Sequence, residues 1–188
     1  VSTTLYNAVL RAELNVTERS PHSMTVHYVD LSEDAAIAGT YKDFKFVNST
    51  EYPIYIEGYT TSDKKITFNI YGKETRDKNR TISFESQMVS ETPATTILQE
   101  DAGQGIGYKA VSSKGSSGYV AELYKIVKVN GVETDRIKVN KSTYKGTNRV
   151  VTYGTAGDPT LSENLRAAIA AQDEALADAN IAAAVPAQ

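Results

Sequence analysis

The chain has 188 residues, 40% of them hydrophobic, which is enough for one or two domains that bury a core without metals or cross-links. Its 20 Lys and Arg residues and 23 Asp and Glu residues give a net charge of −3. Because the basic residues are scattered along the chain, we expect no nucleic-acid partner. The absence of cysteine excludes disulfides, thiolate metal sites and a cysteine nucleophile within these residues.

The sequence also lacks the marks of a membrane protein and of a metal site. No run approaches the roughly 20 apolar residues of a membrane span. Residues 1–20 do not follow the plan of a signal peptide, so we expect any targeting segment to have been removed or left out. The histidines, His22 and His27, lie five positions apart and have no cysteine partners, which makes a poor zinc site. We therefore expect no metal and no cofactor.

The chain opens with a predicted helix over residues 2–14. Helix-capping residues begin this segment, and Leu5, Val9 and Ala12 recur at helical spacing. Pro21 excludes a continuing helix, and apolar and polar residues begin to alternate over residues 22–29.

From Asp43 onward the apolar residues recur every second position, which predicts antiparallel strands. A polar turn over residues 61–64 joins two of these strands. The run at residues 73–80 is charged and lacks an apolar period, so it is a turn or a domain edge. The alternating positions are Phe44 and Phe46, Ile54 and Ile56, then Ile66, Phe68 and Ile70.

The pattern stays that of strands from Thr81 to Thr155 and predicts a string of long hairpins. Asn130-Gly131 is a strong signal for a tight hairpin turn with positive φ at both positions. Asp158-Pro159 ends this region, and Thr160 with Glu163 fits a capping box. An alanine-rich tail to about Ala184 then predicts one helix of about 24 residues, roughly 36 Å long, whose thin apolar stripe is interrupted by Gln172.

The first part of the chain resembles the segment of VanW-like proteins that follows a Gly-Gly-Ile-Cys-Gln motif. The matches run in order over residues 1–72, so we expect this part to be the C-terminal part of a VanW-like domain. Ser20, Thr25 and Ser32 depart from the family pattern, which usually has histidine, proline and glycine there. The matching segments are Val1-Ser2-Thr3-Thr4-Leu5-Tyr6-Asn7-Ala8, Arg19-Ser20-Pro21-His22-Ser23-Met24, Tyr28-Val29, Asp34-Ala35 and Asn48-Ser49-Thr50-Glu51-Tyr52-Pro53-Ile54-Tyr55-Ile56-Glu57.

The second part is similar to the five-glycine wall-associated β domain. Glycine suits hairpin corners that need positive φ, and an ordered series of such corners is more specific than any single one. The expected domains are residues 1–72 for the VanW-like part, 73–95 for a connecting strand or linker, 96–155 for the five-glycine domain and 156–188 for an Ala-rich helical tail. The glycines that carry this resemblance are Gly107, Gly115, Gly118, Gly131 and Gly154.

The VanW resemblance also implies a chemistry and candidate site residues. VanW-like domains in some wall enzymes are associated with L,D-transpeptidation, the cysteine-dependent formation of peptide cross-links in peptidoglycan. The resemblance places that cysteine two positions before Val1, where the N-terminus of the first helix would stabilise a thiolate. His22 is the candidate base or orienting group, and Asp34 the carboxylate that fixes its tautomer.

Ordinary structural roles stand beside these assignments. A histidine after a proline also suits a surface or capping position, and Asp34 also suits a turn. His27 is interpreted as structural or exposed. Tyrosines are a further candidate surface, because amphipathic rings suit sugars, although they also cap thin β cores. These tyrosines are Tyr52, Tyr55, Tyr59, Tyr71, Tyr119, Tyr124, Tyr144 and Tyr153.

Two hypotheses for function follow. The first is a secreted, wall-associated module of a Gram-positive envelope that binds peptidoglycan or another wall glycan, or neighbouring subunits, without catalysis. The second is the C-terminal portion of a cysteine L,D-transpeptidase whose nucleophile precedes Val1. The expected fold class is α+β: a small helix with antiparallel strands, an extended all-β hairpin module and a C-terminal helix. We further expect the first and last helices to pack on a missing N-terminal lobe or on another subunit.

Overall fold

A computed structural model describes residues 1–184 of the chain, and its fold is α+β, as predicted. The chain divides into two compact units, each made of two stretches of sequence. Unit 1 comprises Val1–Glu91 and Tyr119–Lys145, and unit 2 comprises Thr92–Gly118 and Gly146–Gln188. The elements in chain order are α1 (Ser2–Arg11), β1 (Asn15–Arg19), β2 (Phe44–Val47), β3 (Tyr55–Thr60), β4 (Ile66–Tyr71), β5 (Arg80–Thr92), β6 (Thr96–Gly105), β7 (Lys109–Ser116), β8 (Gly118–Val129), β9 (Val132–Tyr144), β10 (Thr147–Ala156), α2 (Pro159–Ala170) and α3 (Glu174–Ala184).

The core of unit 1 forms around one face of α1. Val9 and Tyr6 are 0% and 1% exposed, and the Tyr6 ring meets the Phe44 ring edge-on with centroids 5.4 Å apart. Leu123 of β8 joins the same cluster. The helical period predicted for this segment is confirmed. Its apolar face packs within the unit. The expectation that α1 also packs on another lobe or subunit stays a prediction.

Three small sheets surround this core. β1 pairs antiparallel with β2, β3 pairs antiparallel with β4, and β5, β8 and β9 form a three-stranded sheet in that order. The turn between β8 and β9 has Asn130 and Gly131 at φ of 53° and 82°, which confirms the predicted tight hairpin. The polar turn at residues 61–64 joins β3 to β4, also as predicted.

Unit 2 is a three-stranded sheet with two helices on one face. β10 is the central strand, antiparallel to β7 and parallel to β6. Val151 and Tyr153 of β10 are buried with Leu165 of α2 and Ala177 of α3. The predicted string of hairpins is therefore correct for β8 and β9 and wrong for β6 and β10, since parallel strands require a long crossover instead of a turn.

One glycine of the predicted series is required by close packing within this sheet. A side chain at Gly154 would overlap the carbonyl group of Gly105 and crowd Gln104. The central strand approaches the end of its parallel neighbour too closely there for any larger residue.

The tail forms two helices, so the prediction of one long helix is wrong. Gln172 has a φ of 56°, which ends α2, and its side-chain amide pairs with both backbone groups of Leu98 in β6 at 2.8 and 3.0 Å. The predicted capping box is also wrong, because the Asp158 carboxylate caps α2 by accepting hydrogen bonds from the amides of Thr160 and Leu161.

Residues 22–29 form no strand, contrary to the alternation in their sequence. Backbone groups in and just before this segment are paired by single contacts instead of by a neighbouring strand. The His22 amide donates to Asp34, Lys42 donates to the Pro21 carbonyl, and the Lys145 amide donates to the Ser23 carbonyl. Within residues 1–184, no helix is both long and apolar enough to cross a bilayer.

Glu13 ties the end of α1 to the charged segment before β5. Its side chain is 11% exposed and forms ion pairs with Arg76, Arg80 and Lys125 at 2.6, 2.5 and 3.0 Å. The hydrogen bond from Arg80, together with those from Lys125 and Arg76, lowers the pKa of Glu13 from 4.5 to about 2, although burial opposes this shift. Two of the four cations in the segment at residues 73–80, Arg76 and Arg80, are therefore held on one carboxylate.

The lowered pKa predicts how stability depends on Glu13 and on pH. The difference between 4.5 and about 2 corresponds to about 3 kcal/mol, which is fully present above pH 4.5 and is lost as the pH falls toward 2. Glu13→Gln should lower the free energy of unfolding by about 2–3 kcal/mol at pH 7 and by less at pH 3. Urea denaturation at both pH values measures this effect.

The control is Glu18→Gln, which breaks an exposed ion pair with Lys45. This change should cost less than about 1 kcal/mol. Equal losses for the two variants at pH 7 would contradict the role assigned to Glu13.

Candidate functional site

A buried carboxylate, Asp34, organises the candidate site in unit 1. Its side chain is 0% exposed. One oxygen, Oδ1, accepts from Arg19 at 2.9 Å and from the Tyr144 hydroxyl at 2.5 Å. The other, Oδ2, accepts from the His22 backbone amide at 2.6 Å and lies 2.7 Å from His22 Nδ1. The structure therefore places the two site residues predicted from the sequence in direct contact.

These donors keep Asp34 ionised despite its burial. Burial alone raises the pKa of the Asp34 carboxyl, but the hydrogen bonds from the His22 amide, the Tyr144 hydroxyl and the His22 ring, with the charge of Arg19, bring the pKa below its usual value. Burial and the hydrogen bond to Asp34 raise the pKa of Tyr144, so this hydroxyl remains a protonated donor. The site contains a carboxylate held in place by neutral and cationic donors.

The contact with Asp34 orients the His22 imidazole. An ionised carboxylate accepts the proton on Nδ1, so the neutral ring carries its lone pair on Nε2. The His22 side chain is 33% exposed, and the Tyr28 ring meets it edge-on with centroids 6.4 Å apart. This arrangement gives the ring a fixed tautomer and leaves it accessible from solvent, as a base requires.

The first turn of α1 is tied to the same place. The hydroxyls of Ser2 and Thr3 both donate to the Ala35 carbonyl, at 2.7 and 3.1 Å, and the Thr3 hydroxyl lies 3.3 Å from the Tyr28 hydroxyl. The N-cap residue, Val1, makes no side-chain cap, so the expected capping role of these hydroxyls is replaced by contacts with the loop. The N-terminus of α1 thus lies beside the residue that follows Asp34.

Several residues of this site were missed in the sequence. Arg19 donates to the Asp34 carbonyl at 2.6 Å and to the Ser142 hydroxyl at 2.6 Å, and the Ser32 amide donates to the Tyr144 hydroxyl at 2.7 Å. Arg19 is close in sequence to His22 and lies in a segment that resembles VanW proteins, so its position could have indicated that it belongs to this site. Ser142 and Tyr144 are more than 100 residues from their partners, and no local pattern indicates them.

The other candidates have different surroundings. His27 is exposed, and within residues 1–184 no group of three or more histidine, aspartate or glutamate side chains is placed to hold a metal ion. The candidate tyrosines divide by position. Tyr144 and Tyr153 are buried, Tyr119 and Tyr124 are half-buried, and those on or just before β3 and β4 are exposed: Tyr52, Tyr55, Tyr59 and Tyr71.

The hydrogen bond from Tyr144 predicts a measurable change in the carboxylate. Tyr144→Phe should raise the pKa of Asp34, because it removes a donor to the ionised form, and should lower stability by about 1–3 kcal/mol. Titration of the Asp34 carboxyl carbon by NMR measures the first effect, and urea denaturation the second. Tyr124→Phe is the control, since that hydroxyl donates to Glu122. An Asp34 titration that is the same in both variants would argue against this role for Tyr144.

Comparison with known families identifies two matched segments. Residues 1–71 match the family described as VanW like protein, and residues 84–156 match the G5 domain. A relative, the protein YoaR of Bacillus subtilis (strain 168), is 43% identical over 56 residues, which are 30% of this chain and 18% of YoaR. The chain therefore spans less than a fifth of that relative.

Solved structures of G5 domains show weak similarity in shape. The G5 domain of an IgA1 protease has a TM-score of 0.32 and 24% identity, covering 45% of this chain and 100% of that chain. HP0197-G5 has a TM-score of 0.25 and 20% identity, covering 40% and 97%. These TM-scores are low, so the G5 assignment rests on the sequence match.

The chain thus carries a segment that matches the VanW like protein family and, after it, one that matches the G5 domain, and both kinds of domain are related to the cell envelope. The more detailed prediction, that residues 1–72 are the C-terminal part of a VanW-like domain, stays a prediction, as do the four domain boundaries. Tyr144 and Ser142 lie within the G5-matched segment but belong to unit 1, together with the whole VanW-matched segment.

Proposed function

We propose that this chain is an extracellular, wall-associated module that binds cell-wall polymer or neighbouring envelope subunits without catalysis. The observation that carries this proposal is the position of its tyrosines. Seven of the twelve tyrosines expose more than a third of their surface. Six of these lie in unit 1, namely Tyr28, Tyr41, Tyr52, Tyr55, Tyr59 and Tyr71, and Tyr108 lies in unit 2.

Exposed tyrosines suit a wet ligand that has both apolar and polar surface. A ring presents an apolar plane and a hydroxyl that remains hydrated, so it contacts sugars and peptides without the cost of exposing a purely apolar group. The net charge of −3 gives no general attraction to the anionic polymers of an envelope. Contact through rings, and not through charge, is therefore the mode of binding that this surface supports.

Sedimentation with insoluble peptidoglycan tests this proposal. The whole chain should pellet with purified sacculi in a saturable way, and soluble glycan fragments released from the same sacculi by a muramidase should compete. Binding should persist at 0.5 M salt, at about which concentration charge interactions between exposed groups are strongly screened. A chain that stays in the supernatant, like an unrelated protein of similar size and charge, would refute the proposal.

The geometry around Asp34 favours a second candidate function. We propose, as the alternative, that unit 1 contributes the base of a cysteine-dependent peptidoglycan L,D-transpeptidase whose nucleophile precedes Val1. The supporting observation is that Asp34 contacts the His22 ring directly and lies beside the N-terminus of α1. In this role His22 would accept the thiol proton and return it to the leaving amine, and Asp34 would hold the imidazole in the required tautomer.

This alternative is tested on the natural protein with the residues that precede Val1 included. If a cysteine is present there, alkylation should be fast at pH 7 and about tenfold or more slower after His22→Gln. His27→Gln is the matched control, because that histidine is exposed. Mass spectrometry of muropeptides should detect new cross-links only when both the cysteine and His22 are intact. The absence of an upstream cysteine, or cross-linking that is indifferent to His22, would exclude the alternative.

A further inference from the structure

The exposed tyrosines of the β3–β4 hairpin lie on one face of that sheet. Strand register pairs Tyr55 with Tyr71, Glu57 with Asn69, and Tyr59 with Thr67. Because alternate residues of a strand point to the same side, these six side chains share one face, which we call the tyrosine face. It consists of Tyr55, Glu57, Tyr59, Thr67, Asn69 and Tyr71.

The opposite side of the hairpin holds it to the core. Ile70 packs against the core cluster of unit 1, and Phe68 lies over Gly58 so closely that a side chain there would meet its ring. The fold is therefore stabilised through the other face, and the tyrosine face is left to solvent. Tyr55, Tyr59 and Tyr71 are 65%, 45% and 53% exposed.

The rings on this face are arranged as a platform. Tyr55 and Tyr71 stack across the two strands with centroids 6.1 Å apart and planes 30° from parallel. Tyr59 lies four residues further along β3, about 13 Å away at 3.3 Å per residue. A single sugar ring cannot reach both ends of such a platform, so its dimensions select an elongated ligand.

The middle of the platform supplies hydrogen-bonding groups. The Asn69 amide and the Tyr71 hydroxyl both donate to one oxygen of Glu57, Oε2, at 2.9 and 3.1 Å. The carboxylate is thereby fixed in place while its Oε1 can accept from a ligand hydroxyl. Stacking surfaces on both sides of an oriented polar group are the features by which proteins recognise amphipathic, polyhydroxylated molecules.

The charge on this face disfavours an anionic ligand. Glu57 is the only ionisable carboxylate among the six side chains, and the face contains no lysine or arginine. A polymer with phosphate groups would be repelled by Glu57 and would find no cation among these six residues. Tyr71 also lines a cleft of about 870 Å³ beside α1 and β4, together with Tyr52. Arg11, Lys73 and Arg76 line that cleft as well, so the absence of cations holds for the tyrosine face and not for the cleft at its end.

We propose that the tyrosine face binds a neutral chain of pyranose sugars, with Tyr55 and Tyr71 stacking on one sugar, Tyr59 contacting a later one, and Glu57 accepting hydroxyl protons between them. This inference rests on the proposed binding function and assigns it a site and a ligand class. It does not involve His22 or Asp34.

A soluble tetramer of β-1,4-linked N-acetylglucosamine is the probe for this site. Titrated into the whole chain, it should shift NMR signals of β3 and β4 residues. Tyr55→Ala and Tyr71→Ala should each weaken binding about tenfold, which is the scale of one lost stacking contact. Glu57→Gln should weaken it by a similar factor, while Tyr71→Phe, which keeps the ring, should lose less than Tyr71→Ala.

Met88→Ala is the matched control, because Met88 is 57% exposed, lies on β5 outside the hairpin and is not one of the exposed tyrosines. It should bind the tetramer as the unchanged chain does. Thermal unfolding of every variant shows whether the fold is retained. If Tyr71→Ala unfolds, the comparison of Tyr55→Ala with Met88→Ala decides alone.

The outcomes separate this inference from the function on which it rests. Tetramer binding that Tyr55→Ala and Tyr71→Ala leave unchanged would overturn the site. Binding of a polyol phosphate in preference to the tetramer would overturn the ligand class. A chain that pellets with sacculi but does not bind the tetramer would overturn the inference and leave the proposed function standing, whereas failure to pellet would refute the proposed function itself.

Discussion

The structure of unit 1 depends on the burial of one ionised carboxylate. Moving a charged group out of water costs several kcal/mol unless partners replace the lost hydration. Asp34 obtains those partners from elements far apart in the chain: Arg19 at the end of β1, His22 in the following loop and Tyr144 at the end of β9. Each donor is in turn oriented by a further contact, as Arg19 is by Ser142. The loop that carries Asp34 has no regular secondary structure of its own around this residue, so these contacts fix its path.

Local features of the fold could be predicted from the sequence, whereas long-range features could not. The helical period around Val9 predicted α1, and Asn130-Gly131 predicted a tight turn. Both features depend on residues close in sequence, and both predictions were confirmed. The parallel pairing of β6 with β10 depends on residues about 50 positions apart, and the period of either strand gives no sign of its partner. Gln172 is a second example. The sequence showed that it interrupts the apolar stripe of the tail, but it did not predict the hydrogen bonds from its side chain to β6.

The candidate site also contains residues that could be predicted from nearby sequence and residues that could not. His22 and Asp34 were found because they lie twelve residues apart, within one segment that resembles a family, and they are in contact. Tyr144 contributes to the same carboxylate from 110 residues away. The tyrosine face was only partly visible, since alternation placed Tyr55 and Tyr59 together but not Tyr71 beside them. The two surfaces make different demands: the histidine site depends on exclusion of water around a fixed charge, while the tyrosines are useful because they remain hydrated.

The chain crosses between its two units at residues 91/92, 118/119 and 145/146, and this has a consequence for how the protein acquires its structure. During synthesis the ribosome releases the VanW-matched segment first, yet Asp34 receives the hydroxyl of Tyr144 only after a further 110 residues have emerged. Contacts of such long sequence separation carry a high entropic cost before they form, and they slow folding. Until β8 and β9 arrive, the N-terminal segment has an incomplete core with exposed apolar surface, which is the condition under which nascent chains depend on chaperones. The VanW-matched segment therefore cannot complete its core until the part of the G5-matched segment that contains β8 and β9 has been translated.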